Sequence, residues 1–138
     1  MNQKDQIVNK LRSSGLRPTK QRIKIAHFLF EREKTFHFSV ENLNKIINKK
    51  GNLDKISLAT IYNTVEAFKK AGHLKEILTN HNTNYFDTNV NSHHHFYDAE
   101  TNELTDIDFN EIDVTKMPNA PRGKKIKSCE VIISLRKQ

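Results

Sequence analysis

Between Ile7 and Phe68 the apolar residues recur three and four positions apart in four separate runs, each closed by a glycine or opened by a hydroxyl residue. Such spacing restricts the first half of the chain to short packed helices. Ile7, Val8 and Leu11 mark the first run, from Asn2 to Ser13, which Ser14-Gly15 ends. Pro18-Thr19 opens the second, with Thr19 placed to cap it; Ile23, Ala26 and Phe30 form its stripe, widened by Ile25 and Leu29. The third starts at Ser39 and buries Val40, Leu43, Ile46 and Ile47 before Gly51-Asn52. The fourth runs from Ser57 to Lys70, with Ile61, Val65 and Phe68 inward and Ala71-Gly72 as its stop. Two short strands follow, His73 to Leu78 and Thr83 to Thr88, joined by a tip at Thr79-Asn80-His81-Asn82. Compact helices with short turns and then a hairpin describe a winged helix-turn-helix.

The rest of the chain reads as a small mixed lobe. His95 to Ala99 and Leu104 to Ile107 are strands around a Glu100-Thr101-Asn102-Glu103 turn, and a brief helical or irregular piece covers Asn110 to Lys116. Pro118 and Pro121 stiffen a loop, and Lys125 to Arg136 forms a long strand. Its alternating Cys129, Val131, Ile133 and Leu135 give an apolar face suited to a partner subunit, with Cys129 in the core. The expected fold class is α+β: an N-terminal winged helix-turn-helix domain over residues 1–88, then a small α/β dimerisation domain over 89–138.

Charge divides the chain in the same way. The net +7 comes from 23 Lys and Arg against 16 Asp and Glu. Residues 1–75 hold 16 basic and 6 acidic side chains, a balance of +10, whereas residues 76–138 hold 7 and 10, a balance of −3. A basic lobe meets a polyanion; an acidic lobe has another task. The lone Cys129 excludes an intrachain disulfide and a four-cysteine zinc site. No apolar run approaches the length of a membrane span, and Met1 leads straight into polar residues, so a cytoplasmic setting without membrane contact is expected.

On the fourth helix the outward positions are Ser57, Thr60, Tyr62, Asn63, Thr64, Glu66 and Lys69. Hydroxyls, an amide and a ring near a helix N-terminus are what base edges, phosphates and thymine methyls require. Arg17 and Lys20, with Arg22 nearby, are placed to reach phosphates or a minor groove. The histidines carry the second chemistry. In an extended segment His93 and His95 share a face and His94 takes the other. Asp87 and His37 are available to complete a mixed nitrogen and oxygen shell, which suits Fe(II), Mn(II) or Zn(II). His73 and His81 border the wing, where phosphate contact is the expected role.

The segments LRPTKQRIKIAHFL, HFSVENL, ISLATIYNTVEAFKKAGHL and NYFDT resemble the ferric uptake regulator (Fur) family of bacterial transcription factors, in order and spacing, from about Leu11 to the end. The stretch YFDTNVNSHHHFYDAETNELTDI, the KMPNAP turn and the pair Tyr62-Asn63 resemble the iron response regulator (Irr) branch. The resemblance implies a homodimer that represses or activates iron- and haem-related genes at AT-rich, partly palindromic double-stranded operators. It implies that Arg17 enters the minor groove and Tyr62 meets thymine. It also places His37, Asp87, His93, His95 and Asp106 at a hinge metal site, with Asp87 where Glu is more usual, and makes His93, His94 and His95 haem contacts. Paired CxxC motifs, a late-chain histidine and a Cys-Pro haem motif are absent.

The expected function is therefore an iron- or haem-responsive, sequence-specific DNA-binding regulator, mainly a repressor. Divalent Fe, Mn or Zn, or haem, would gate it at an interdomain His/Asp site. A small metal-dependent hydrolase using the same cluster is the alternative. Against it, the sequence has no G-x-S-x-G and no Gly-rich phosphate loop. An RNA-binding sheet would need exposed aromatics, and many of the rings here occupy helix core positions.

Overall fold

The structure is a computed structural model describing residues 2–51, 53–79 and 83–138. It divides into two compact units, one reaching to Val90 and the other running from Asn91 to Gln138.

In the first unit, α1 (Gln3–Ser13), α2 (Lys20–Phe30), α3 (Val40–Ile47) and α4 (Leu58–Lys70) each open on a side-chain cap. Asn2, Thr19, Ser39 and Ser57 accept the N–H of Asp5, Arg22, Asn42 and Thr60, respectively. Each satisfies a helix donor that would otherwise have no partner, worth about 1 kcal/mol. Leu11, Ile25, Ala26, Leu29, Leu43, Ile61, Val65 and Phe68 meet in one core contributed by all four helices. Ile46, expected in that core, is only half-buried.

The sheet departs from the expected hairpin. β2 (Lys75–Ile77) and β3 (Tyr85–Asp87) are shorter than anticipated, and a third strand, β1 (His37–Ser39), pairs antiparallel on the other side of β3. The sequence carries only three residues for β1, too few for alternation to register as a pattern. Its anchor is Phe38, 1% exposed and stacked between Phe36 and Phe86 at 5.7 Å from each. The expected wing tip at Asn80, His81 and Asn82 lies outside the described residues.

His73 is half-buried and makes its contacts inside the first unit. Its Nε2 lies 2.8 Å from Ser14 Oγ, and its ring meets the edges of Phe30 and Phe68. Burial, and then the Lys10 cation, hold its pKa below the ordinary 6.5. The unfolded chain therefore takes up this proton first as pH falls. The contribution of neutral His73 is fully present above about pH 6.5 and is lost as pH drops towards the folded value. The urea midpoint should fall more between about pH 7.5 and 5.5 in the wild type than in His73→Phe. Equal slopes for the two proteins would refute the assignment.

In the second unit β4 (His94–Asp98) is central, antiparallel to β5 (Glu103–Ile107) and parallel to β6 (Ile132–Leu135). The turn between β4 and β5 places Asn102 at φ 58°, while Asp98 Oδ1 accepts from the N–H of Glu100. The expected helical piece is a single 3-10 turn, Phe109–Glu111. The long final strand contracts to four residues because β6 runs parallel to β4 and the pairing begins only at His95 with Ile132, so residues 125–131 lie ahead of the start of β4. Cys129 consequently precedes the strand and is exposed, not in the core.

Candidate metal centre and nucleic-acid interface

Strand register brings the donors together within each unit. In the first, β1 and β3 pair His37 with Asp87, and His37 Nε2 lies 3.0 Å from Asp87 Oδ2. Asp87 is fully buried, and its Oδ1 accepts the N–H of Asn89 at 2.8 Å. In the second, β4 and β5 set His95 opposite Asp106. Asp106 Oδ1 lies 3.3 Å from His95 Nε2 and 3.1 Å from His93 Nε2.

These separations match the edges of a coordination shell. Metal–nitrogen bonds of about 2.0–2.1 Å put neighbouring donors about 2.9 Å apart in an octahedron and about 3.3 Å apart in a tetrahedron. The tautomer of His93 also suits a ligand. Its Nδ1 donates to the Asn91 carbonyl at 2.6 Å, which leaves Nε2 as the nitrogen that faces Asp106. Residue type, burial and spacing thus fit a divalent cation of the borderline class.

His94 is arranged differently. Strand alternation turns it to the other side of β4, where it is 1% exposed and stacked on Phe109 at 5.2 Å. The Val131 N–H donates to its Nδ1 at 2.8 Å, so the neutral ring carries its proton on Nε2. It lines a cleft of about 400 Å³ together with Phe109, Met117, Lys127 and Cys129.

On the first unit, Ser57, Tyr62 and Asn63 are exposed along the N-terminal half of α4, and Thr60 is half-buried. The hydroxyls of Ser57 and Thr60 pair with each other at 2.9 Å, a local contact that fixes the cap. Thr64, read from sequence as outward, is 3% exposed and belongs to the buried side. A residue two beyond Tyr62 turns roughly 200° around the helix, which carries it off the exposed face. Arg17 and Lys20 flank the start of α2, where the Arg17 carbonyl accepts from Arg22 Nη1 at 3.2 Å. Sequence reasoning passed over Leu58 and Ala59, both exposed beside Tyr62 and Asn63 on one face. Leu58 stands three residues before the buried Ile61, a spacing that signals an inward side chain, yet it is 50% exposed.

A helix-turn-helix unit with a wing, followed by a sheet unit whose strands carry imidazole and carboxylate donors, defines a metal-responsive transcription regulator. The sequence profile of the Ferric uptake regulator family matches residues 13–134, and the chain belongs to that family. The peroxide-responsive repressor PerR of Staphylococcus epidermidis is 28% identical over 109 residues, which is 79% of this chain and 70% of that protein. The ferric uptake regulator of Pseudomonas aeruginosa, solved with manganese, superposes with a TM-score of 0.68 at 25% identity, covering 94% of this chain and 96% of that one. The Vibrio cholerae ferric uptake regulator superposes at 0.70 with 17% identity, covering 94% and 98%, and shows the shared fold. Family membership makes the chain a regulator and not the alternative hydrolase.

Proposed function

We propose that the protein is a metal-gated, sequence-specific repressor that binds double-stranded DNA as a homodimer in the cytoplasm. The observation that carries the metal part is the pairing of imidazole and carboxylate donors at shell-edge distances in both units, half-buried His37 with buried Asp87, and buried His93 and His95 with exposed Asp106. Our reading assigns all five as donors for a divalent cation of the Fe(II), Mn(II) or Zn(II) class, which when bound would supply a positive charge to these imidazoles and carboxylates. The manganese of the Pseudomonas relative supports that choice of cation class. Arg17, Lys20, Ser57, Thr60, Tyr62 and Asn63 make the DNA face in this reading, and the +10 balance of residues 1–75 supports it. Ile133, Leu135, Met117 and Ile126 are each more than a third exposed in a unit of 48 residues, apolar surface that a second copy would cover.

Within the family the Tyr62-Asn63 pair and the histidine run support placement beside the Irr branch, with iron-related genes as targets. The haem part of that resemblance fits the geometry poorly. His93 and His95 face Asp106, while His94, on the other side of the strand, holds a proton on the nitrogen left for the cleft. An iron ligand needs a lone pair there. A divalent ion is therefore the signal in this reading.

Titration of metal-free protein with Mn(II), Fe(II), Zn(II) and haem, following binding to an AT-rich palindrome and to its scrambled duplex in ~0.15 M salt, tests the whole reading. The expected result is a metal-dependent preference for the palindrome of at least about tenfold, with haem inactive. Equal affinity for the two duplexes at every metal concentration would overturn it.

A further inference from the structure

Strand alternation gives the two sides of β4 different chemistries. His95 turns to Asp106, and His94 turns the other way, where the cleft of about 400 Å³ opens. That volume lies within the range of small-molecule pockets. Its far wall is chain without regular structure, residues 112–114 after the 3-10 turn and residues 127–129 ahead of β6. The His94 ring is 1% exposed, and its Nδ1 is engaged by the Val131 N–H. Its Nε2–H opens on the cleft and donates to no protein atom among the described residues. A donor set this deep in a fold costs free energy unless an acceptor reaches it.

The groups around that donor define what it accepts. The Lys127 ammonium and the Ser128 hydroxyl line the same cleft and make no ion pair or hydrogen bond among the described residues. With His94 Nε2–H they offer donors and one positive charge, the complement of a carboxylate. Phe109, stacked on His94 at 5.2 Å, and the side chains of Ile112 and Val114 give the rest of a ligand an apolar wall. A single negative charge is the limit. Asp113 also lines the cleft, and residues 98–113 hold seven carboxylates and no Lys or Arg, so a phosphate or a dicarboxylate meets more repulsion than one lysine offsets. We propose that this cleft binds a small monocarboxylate with an apolar side chain, its carboxylate on His94 Nε2–H and Lys127 and its side chain on Phe109, Ile112 and Val114. Amino acids and 2-oxo acids share that chemistry, and Asp113 separates them by meeting the α-ammonium of the first.

The sole thiol of the chain reports on the cleft, because Cys129 lines it and is exposed. The full-length protein, with Zn(II) added as a diamagnetic ion, is alkylated with iodoacetamide, a small uncharged reagent. Leucine or 4-methyl-2-oxopentanoate is raised to about 10 mM, a range suited to ligands this small. At least one of the two should slow alkylation about tenfold at about ten times its Kd, since only the unliganded thiol reacts. Protection by leucine alone places an α-ammonium on Asp113, whereas protection by the oxo acid, alone or as well, rests the site on the carboxylate. 3-Methylbutan-1-ol, which keeps the apolar body and lacks the carboxylate, should not protect, nor should inorganic phosphate. The ring nitrogens of His94 should shift in nuclear magnetic resonance spectra as protection develops, while those of His73 stay in place. Lys127→Glu should abolish protection, and Lys116→Glu, the same charge change outside the lining of the cleft, should keep it. The inference is wrong if neither acid protects, if the alcohol or phosphate protects equally, or if the two lysine variants behave alike. It is also wrong if Cys129 reacts only after denaturation, because a second copy of the chain then fills the cleft.

Discussion

Replacing Phe68 by Ala should destabilise the first unit by about 3–5 kcal/mol, the largest single loss expected from any side chain in its core. Phe68 is fully buried on α4, its ring centroid 5.5 Å from that of Phe30 and 6.3 Å from that of His73. It therefore joins α4 to α2 and to the turn that leads into β2, three segments that no disulfide or long sheet holds together. Truncation removes the transfer free energy of the ring and leaves a cavity that helices already packed at native density close only in part. A domain near this size loses roughly 4–8 °C of melting temperature per kcal/mol, so the variant should melt at least about 12 °C lower. For comparison, Ser39→Ala at the α3 cap removes one accepted hydrogen bond, worth about 1 kcal/mol. Urea unfolding followed by far-ultraviolet circular dichroism measures both. A loss under about 1 kcal/mol for Phe68→Ala would mean that Phe30 and His73 collapse onto the vacated space and that the core is far more plastic than its packing indicates.

That core was readable because helices advertise themselves over ten or more residues. The stripe of Ile61, Val65 and Phe68, opened by Ser57, contains periodicity, cap and stop in a single stretch, and each lies where the spacing puts it. The strands were legible only where turn chemistry bounded them, as at Glu100 to Asn102 between β4 and β5. β1 was not, since three residues in front of a helix cap carry no period, and its strand character comes from Phe86 across the sheet. Thr64 went astray because polar residue type was allowed to outweigh helical angle. The terminal strand went astray for the opposite reason. Alternation in Cys129, Val131, Ile133 and Leu135 is real, but a strand extends only as far as its parallel partner, and β4 begins only at His94, too late to pair with Cys129. The pairings within the metal site, in contrast, follow from register: His37 opposite Asp87 and His95 opposite Asp106 are consequences of which residues face each other across a ladder. Local spacing indicated His93 and His95 as one pair, and Asp106 came only with the family resemblance.

The second large effect separates the three adjacent histidines by function. Changing His93 and His95 together to Ala should lower affinity for Mn(II) or Zn(II) by more than about a hundredfold, since loss of an outer-shell partner alone costs 10- to 100-fold. Both imidazoles approach the same Asp106 oxygen, at 3.1 and 3.3 Å, so removing them deletes two of the three imidazole donors and leaves Asp106 without its neighbours. Metal-dependent operator binding should disappear with it, because an ion contributes to the DNA-bound state only by the difference in its affinity for the two states. His94→Gln should leave metal stoichiometry and operator binding as in the wild type. Its ring lies on the other side of β4, tied to the Val131 N–H and stacked on Phe109, and the glutamine side chain keeps a hydrogen-bond acceptor for that donor. Calorimetric metal titration and fluorescence anisotropy with labelled operator read the two quantities separately, and far-ultraviolet circular dichroism confirms that each variant folds. Should His94→Gln lose the metal while the His93/His95 double variant keeps it, the donor set is assigned to the wrong side of the strand. Should His94→Gln remove a haem absorbance that the wild type shows at one equivalent, the proton placed on Nε2 by the Val131 contact is not an obstacle, and haem returns as a ligand of the cleft.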